Sequence, residues 1–427
     1  MMGKGLVTAA VVVAIGAAGY VGGVAYSSQR FDEEMARMVA ELDKSSDIKA
    51  SRTDVESGWF DSTGRVEMEL ATGAEQGPVR MVLPYEAGHG LLSTSMKGNV
   101  KLLLGKPARD VLSDVVGDGK AIAFEGSVDN FSGASDTTLT LPAFEWQDPE
   151  SGTRFDFKGG EMTASHDGSD TPEIKVEGEI TPFDIMNDKE TISVGTLSLN
   201  GLYRGADNDF RQDDNITLDT LTIDNGMGQP PVVATDISYA GETRLDPTEL
   251  RYLMKLAVKD VSAGDQQMAS GKLALSIDRL QGAAVYDLIT QLQGLLEEAG
   301  KPFEELSESE QVAMLEKVEA PLFTMLSTSP RLTLESFEAK SQVFGVDMSG
   351  DGQLILDGTD ATDLSVAELQ TTQGQQAFLN RMSGRFEFRN VPPMLALMAG
   401  LSPEATDKNV VLTIEGDKLS VNGTPIY

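Results

Sequence analysis

His89 and His166 are the only imidazoles in this chain, and neither has a second histidine at helical or hairpin spacing. A metal centre or a general base needs partners close by, so these two residues do not announce one. His89 sits in Glu86-Ala87-Gly88-His89-Gly90, where the glycines point to a turn. Both histidines are expected to be dispensable. The chain has no cysteine, which removes disulfides, thiolate metal sites and cysteine nucleophiles. There is no G-x-S-x-G elbow and no P-loop. Asp347-Met348-Ser349-Gly350-Asp351-Gly352 opens like a calcium loop, with further oxygens at Asp357, Asp360 and Asp363. Its twelfth position is Gly358, where such a loop needs a bidentate glutamate. Acidic β-turns account better for these residues, with Asp351-Gly352 as a hairpin turn. No catalytic residue, cofactor or metal ligand is therefore expected from the sequence.

Charge narrows the partners. Asp plus Glu number 67 against 34 Lys plus Arg, a formal net charge of −33. Such a field repels phosphate backbones and anionic lipid surfaces, so nucleic acid is excluded as a partner.

These sparse candidates need elements to position them. From Gly5 to Gln29 no residue is charged, and Leu6 to Tyr26 is an apolar run. At about 1.5 Å per residue it spans a hydrocarbon core of roughly 30 Å. Lys4 precedes it and Asp32, Glu33 and Glu34 follow, which places the N-terminus inside and the bulk outside. Gly23-Val24-Ala25 offers a cleavable-signal alternative, but the run is longer than a signal's apolar region. Gly19 and Gly23 have the spacing of a helix-pairing motif, and hence of a homodimer.

Residues 1–29 are thus expected to be a transmembrane anchor and 30–47 an amphipathic helix, with Phe31, Met35, Met38, Val39 and Leu42 on one face. Residues 48–240 read as a β-rich region of antiparallel meanders. Arg65–Leu70, Thr153–Lys158, Glu173–Ile180 and Asn215–Asp224 alternate in polarity, separated by turn clusters. Residues 241–427 read as a further β region with a helical insertion at about 283–328. Val285, Leu288, Ile289, Leu292, Leu295 and Leu296 form one helical stripe. Ser307 and Glu310 form a capping box for the next helix, which Pro321 is expected to kink. The fold class is mainly β with inserted helices.

The order of these segments resembles the YdgA-like family of bacterial envelope proteins, whose function is not established. The likeness rests on the N-terminal span and Val55-Glu56-Ser57-Gly58-Trp59-Phe60-Asp61-Ser62 before an alternating strand. It rests also on Gly271-Lys272-Leu273-Ala274-Leu275-Ser276-Ile277-Asp278-Arg279-Leu280 before the first inserted helix. Leu326-Ser327-Thr328-Ser329-Pro330-Arg331-Leu332 then enters the next strand. His89-Gly90-Leu91 stands where such proteins often have His-Gly-Pro. The resemblance implies an inner-membrane anchor and a periplasmic domain, and supplies no catalytic residues. The expected function is binding of an apolar ligand such as lipid, or of an envelope protein, in a β-sheet groove. The alternative is a carboxylate-dependent envelope enzyme such as a hydrolase. A continuous apolar groove favours the first; a small pocket of converging carboxylates favours the second.

Overall fold

The computed structural model describes residues 28–43, 48–70, 79–104, 109–117, 120–149, 151–169, 171–206, 208–299, 303, 306–398 and 409–426. The expected span at Leu6–Tyr26, with Gly19 and Gly23, lies outside the described residues. Among the described residues, no helix is long and apolar enough to cross a membrane. The chain divides into two compact units, Met1–Gly205 and Ala206–Tyr427.

The first unit opens with α1 (Ser28–Asp43), whose stripe at steps of four, three, one and three forms one apolar face. That face lies on a sheet built from β1 (Ile48–Ser57), β2 (Asp61–Leu70), β3 (Val79–His89) and β4 (Ser93–Leu104). Phe31, Met35, Met38 and Val39 are buried in one cluster with Val66, Met68, Met81, Leu83, Tyr85 and Leu102. A short strand β5 (Arg109–Asp110) and helix α2 (Val111–Val116) precede β6 (Ile122–Asp129) and β7 (Ser135–Leu141). Strands β8 (Phe144–Gln147), β9 (Arg154–Phe157), β10 (Gly160–His166), β11 (Glu173–Ile180), β12 (Phe183–Met186), β13 (Thr191–Val194) and β14 (Leu197–Ala206) follow. The antiparallel order is β1-β2-β3-β4-β6-β7-β10-β11-β14, with β8-β9-β12-β13 as a side ribbon. Alternation puts apolar side chains on the α1 face and polar ones on the other.

The second unit is a meander of long strands: β15 (Asp209–Asp224), β16 (Val232–Leu245), β17 (Leu250–Ala263) and β18 (Gln266–Leu280). Residues 240 and 241, the expected boundary between the two β regions, lie inside β16. The β18–β19 connection holds α3 (Gly282–Ala299), α4 (Glu308–Lys317) and α5 (Glu319–Thr324). After β19 (Arg331–Ser341) and β20 (Val346–Leu356) come α6 (Val366–Leu369) and α7 (Thr372–Leu379). Then follow β21 (Met382–Arg389), α8 (Pro393–Met398), β22 (Asn409–Glu415), β23 (Lys418–Val421) and β24 (Thr424–Pro425). Strands β15 to β24 pair in sequence order, all antiparallel.

Two expectations are corrected. Asp351-Gly352 is not a turn: both residues lie within β20, and the β19–β20 turn is at residues 342–345. The glycines serve packing instead. A Cβ on Gly352 would stand 2.5 Å from the Phe386 backbone, and one on Gly350 would stand 2.4 Å from the Phe388 ring. Pro321 does not kink a helix: the chain breaks at Val318, and Pro321 falls in the first turn of α5, where its missing N–H is an orphan anyway. The connecting helices are held in two ways. They pack on one another, α3 on α5 and α4 on α6, and are tied to the strand ends. Gln281 N–H donates to Met325 O at 2.9 Å and Ala283 N–H to Pro247 O at 3.0 Å. The Ser307–Glu310 capping box is present.

Candidate functional site

Polarity alternates across the second unit's sheet, and its register gathers one polarity on one face. Ile216, Tyr239, Leu256, Leu273 and Phe337 are direct cross-strand neighbours in a row over five strands. The next row runs Met254, Leu275, Leu334, Gly352, Phe386 and Leu412. A third runs Tyr252, Ile277, Leu332, Leu354, Gly384 and Ile414. The glycines sit where neighbouring strands bring rings, so Phe386 and Phe388 lie close over β20. Phe337 meets Phe388 edge-on at 6.3 Å between centroids. The opposite face carries Arg211, Glu242, Arg244, Asp351 and Arg389 in surface ion pairs.

The apolar face is only partly covered. Leu334 is buried, whereas Leu256, Ile277 and Leu332 remain exposed. These three belong to adjacent strands, and Ile277 and Leu332 pair directly. One polar group interrupts the face: Tyr239 and Tyr252 share a hydrogen bond at 3.2 Å between their hydroxyls. That bond, then burial, pushes the Tyr239 phenol up to about 12, so it remains a neutral hydrogen-bonding group. An apolar strip with a few fixed polar groups suits an acyl chain with a polar end.

The first unit offers more polar geometry. His89 lies at the end of β3, and its Nε2 is 2.8 Å from Ser62 Oγ. Phe31 packs on the imidazole at 5.2 Å. The His89 Nδ1 is buried and has no hydrogen-bond partner. Burial holds the imidazole below its usual pKa, with the Asp32 and Asp61 charges opposing. Beside it, Asp32 receives Arg52 Nη2 at 2.6 Å and the Ser57 hydroxyl, while Arg52 Nε donates to Tyr85 Oη at 2.6 Å. The Ser–His pair lacks what a hydrolase needs. No acid orients Nδ1, and Ser62 is 2% exposed, closed to a substrate. The network latches α1 to the sheet.

On the other face of that sheet, β2, β3, β4, β6 and β7 line an open basin of about 620 Å³. Asp61, Glu86, Glu125 and Asp136 rim it, with Lys97 facing Glu86 at 3.2 Å. Among the described residues no group of three or more His, Cys, Asp or Glu is placed to hold a metal ion. These carboxylates point from separate strands of a solvated face. His166 closes β10 and accepts Gly168 N–H through Nδ1 at 2.9 Å, a turn contact. The calcium-like residues from Asp347 to Gly352 are extended within β20, with Asp351 paired to Arg389 at 2.7 Å. No linear motif marks the apolar face. Its signal is the apolar alternation within strands β15 to β22, which only the register joins.

A family model described as "Bacterial protein of unknown function (DUF945)" matches residues 2–399. The chain belongs to this family. It is similar to the uncharacterized protein YihF of Escherichia coli strain K12, with 22% identity over 296 residues. That match covers 65% of this chain and 60% of the relative's length. No solved structure matches.

Proposed function

We propose that this DUF945 member is a single-pass inner-membrane protein whose periplasmic part binds lipid acyl chains on the apolar face of β15–β22. The observation that carries the reading is the continuous apolar register from Ile216 to Leu412, with Leu256, Ile277 and Leu332 open on it. At roughly 0.8 kcal/mol per buried methylene, ten methylenes gain about 8 kcal/mol from water, an affinity near 1 μM before ordering costs. Measured from a bilayer the gain is close to zero, which suits exchange with a membrane. Membrane placement is supported by the charge-free run Gly5–Gln29, by Lys4 before it and by the acids after it. Closer kinship with YdgA-like envelope proteins belongs to the same reading. So does helix pairing through Gly19 and Gly23.

Mass spectrometry of small molecules carried by the purified full chain tests the binding. Wild type is expected to carry phospholipid or fatty acid, and Ile277→Asp to lose most of it while keeping its β circular dichroism. Equal lipid in both would remove the sheet face from the reading. Bound lipid absent, together with turnover lost on replacing Asp61 or Glu125, would favour the carboxylate enzyme at the basin. Protease added to spheroplasts tests topology: the β units should be digested, and full protection would reverse the orientation.

A further inference from the structure

Hairpin tips are normally polar, because turn residues face water. Three tips at one end of the first unit's sheet break this rule. Trp59 and Phe60 join β1 to β2, Leu91 and Leu92 join β3 to β4, and Phe131 lies between β6 and β7. All five are between 62 and 90% exposed, so they are not core. The register puts them together: Asp61 faces Gly88, His89 faces Thr94, Ser93 faces Asp129 and Val128 faces Ser135.

The tips are fixed to one another. His89 N–H donates to Phe60 O at 2.7 Å, and Asn130 N–H donates to Leu92 O at 2.8 Å. The buried Asn130 side chain donates to Gly90 O at 2.8 Å. Gly90 makes its turn tight, since a Cβ there would stand 2.8 Å from Ser93 O. Asp129 accepts Phe131 N–H at 3.0 Å and Ser132 N–H at 2.7 Å, which shapes the third tip. Residues 58–60, 90–92 and 130–134 contain no charge, in a chain of net charge −33. Rigid, uncharged aromatic and leucine tips match the headgroup–acyl boundary of a bilayer, where Trp is favoured. A neutral lipid surface fits, because the rest of the molecule repels an anionic one.

The direction of the chain agrees. Phe31 packs on Tyr85 and His89, and Asp32 accepts the hydroxyl of Ser57, the last residue of β1. The start of α1 therefore lies at the end of the sheet that bears the tips. The apolar run Leu6–Tyr26 stands just before α1 in sequence.

We propose that Trp59, Phe60, Leu91, Leu92 and Phe131 form a membrane-docking edge that rests in a zwitterionic bilayer surface. The edge holds the first unit against the membrane that the N-terminal segment enters, and it rests on the anchor reading only for that membrane's identity. The chain has two tryptophans, so Trp146→Phe leaves Trp59 as the sole reporter. The full-length variant is reconstituted with phosphatidylcholine vesicles that contain acyl-brominated lipid. A tip seated about 5–10 Å deep is quenched most by bromines near the head group. Trp59 emission should shift to the blue, lose more than half its intensity and resist acrylamide. Adding Leu91→Ser and Phe131→Ser, both at exposed positions, should weaken the quenching several-fold with the fold unchanged. Alkaline carbonate extraction reads the anchor separately. Quenching with release by carbonate supports the edge and fails the anchor. Retention with Trp59 unquenched and open to acrylamide overturns the edge and keeps the anchor. Absence of both vesicle binding and quenching overturns the edge. A blue shift that follows protein concentration without lipid assigns the tips to a second copy, and also overturns it.

Discussion

Arg52 carries more of the first unit's order than its single charge suggests. It pairs with Asp32, donates to Tyr85 and lies over the Phe31 and Tyr85 rings at 5.9 and 5.5 Å. Removing it takes the guanidinium from Asp32, which keeps the Ser57 hydroxyl, and leaves the hydroxyl of the buried Tyr85 without this donor. Arg52→Met is expected to destabilise the unit by about 2–3 kcal/mol in chemical denaturation. A loss within error of zero would show that α1 is held by its apolar face alone. His89 predicts a pH effect of opposite sign to a paired histidine. Its folded pKa lies below the ordinary 6.5, so the unfolded chain takes up the proton first as pH falls. Its contribution is complete above about pH 6.5 and is lost as pH drops from there toward the folded value. Melting curves of wild type and His89→Gln should diverge in slope over that window; parallel slopes would count against the lowered imidazole pKa. These contacts were not legible in the sequence. Ser62 near the start of β2 and His89 at the end of β3 meet only because the β2–β3 register aligns those ends, and the glycines around His89 suggested no more than a turn.

Elements were more legible where pattern is local. Glu173–Ile180 alternates and is β11 to the residue, and the Ser307–Glu310 box caps α4. Local pattern misled at Asp351-Gly352, because a turn dipeptide and a glycine cleared for a neighbouring ring look alike in sequence. The two readings differ in a substitution. Gly352→Ala should cost about 1–3 kcal/mol, since the added methyl meets backbone on β21. In a hairpin turn the cost would come instead from the positive φ asked of glycine, which Asn accepts, so Gly352→Asn separates the two: mild in a turn, costly against the β21 backbone. Helix α3 is held by α5 and by a few backbone bonds at its start, whereas β19 is paired on both sides, so α3 is expected to open at lower free energy than β19. Hydrogen exchange in Val285–Leu296 should be faster than in Leu332–Phe337, and slowed by added lipid. Equal protection, unmoved by lipid, would make the helices plain structure.

At the scale of the whole molecule, composition sets the partners and register sets the surface. Acids outnumber bases 67 to 34, a net charge of −33. Against that background two apolar features stand out, the open strip on the second unit's sheet and the uncharged tips on the first. Neither is a sequence motif. Leu256, Ile277 and Leu332 are spread over a long stretch of chain, and strand pairing alone makes them neighbours. The central claim is that acyl chains lie on this strip. A fatty acid with a photoactivatable group along its chain, bound to the purified full-length protein, marks its contacts after irradiation. Peptides containing Leu256, Ile277 and Leu332 should carry the label, and unlabelled phospholipid should displace it. Label confined to other strands, or no label above a non-binding protein, would contradict the claim.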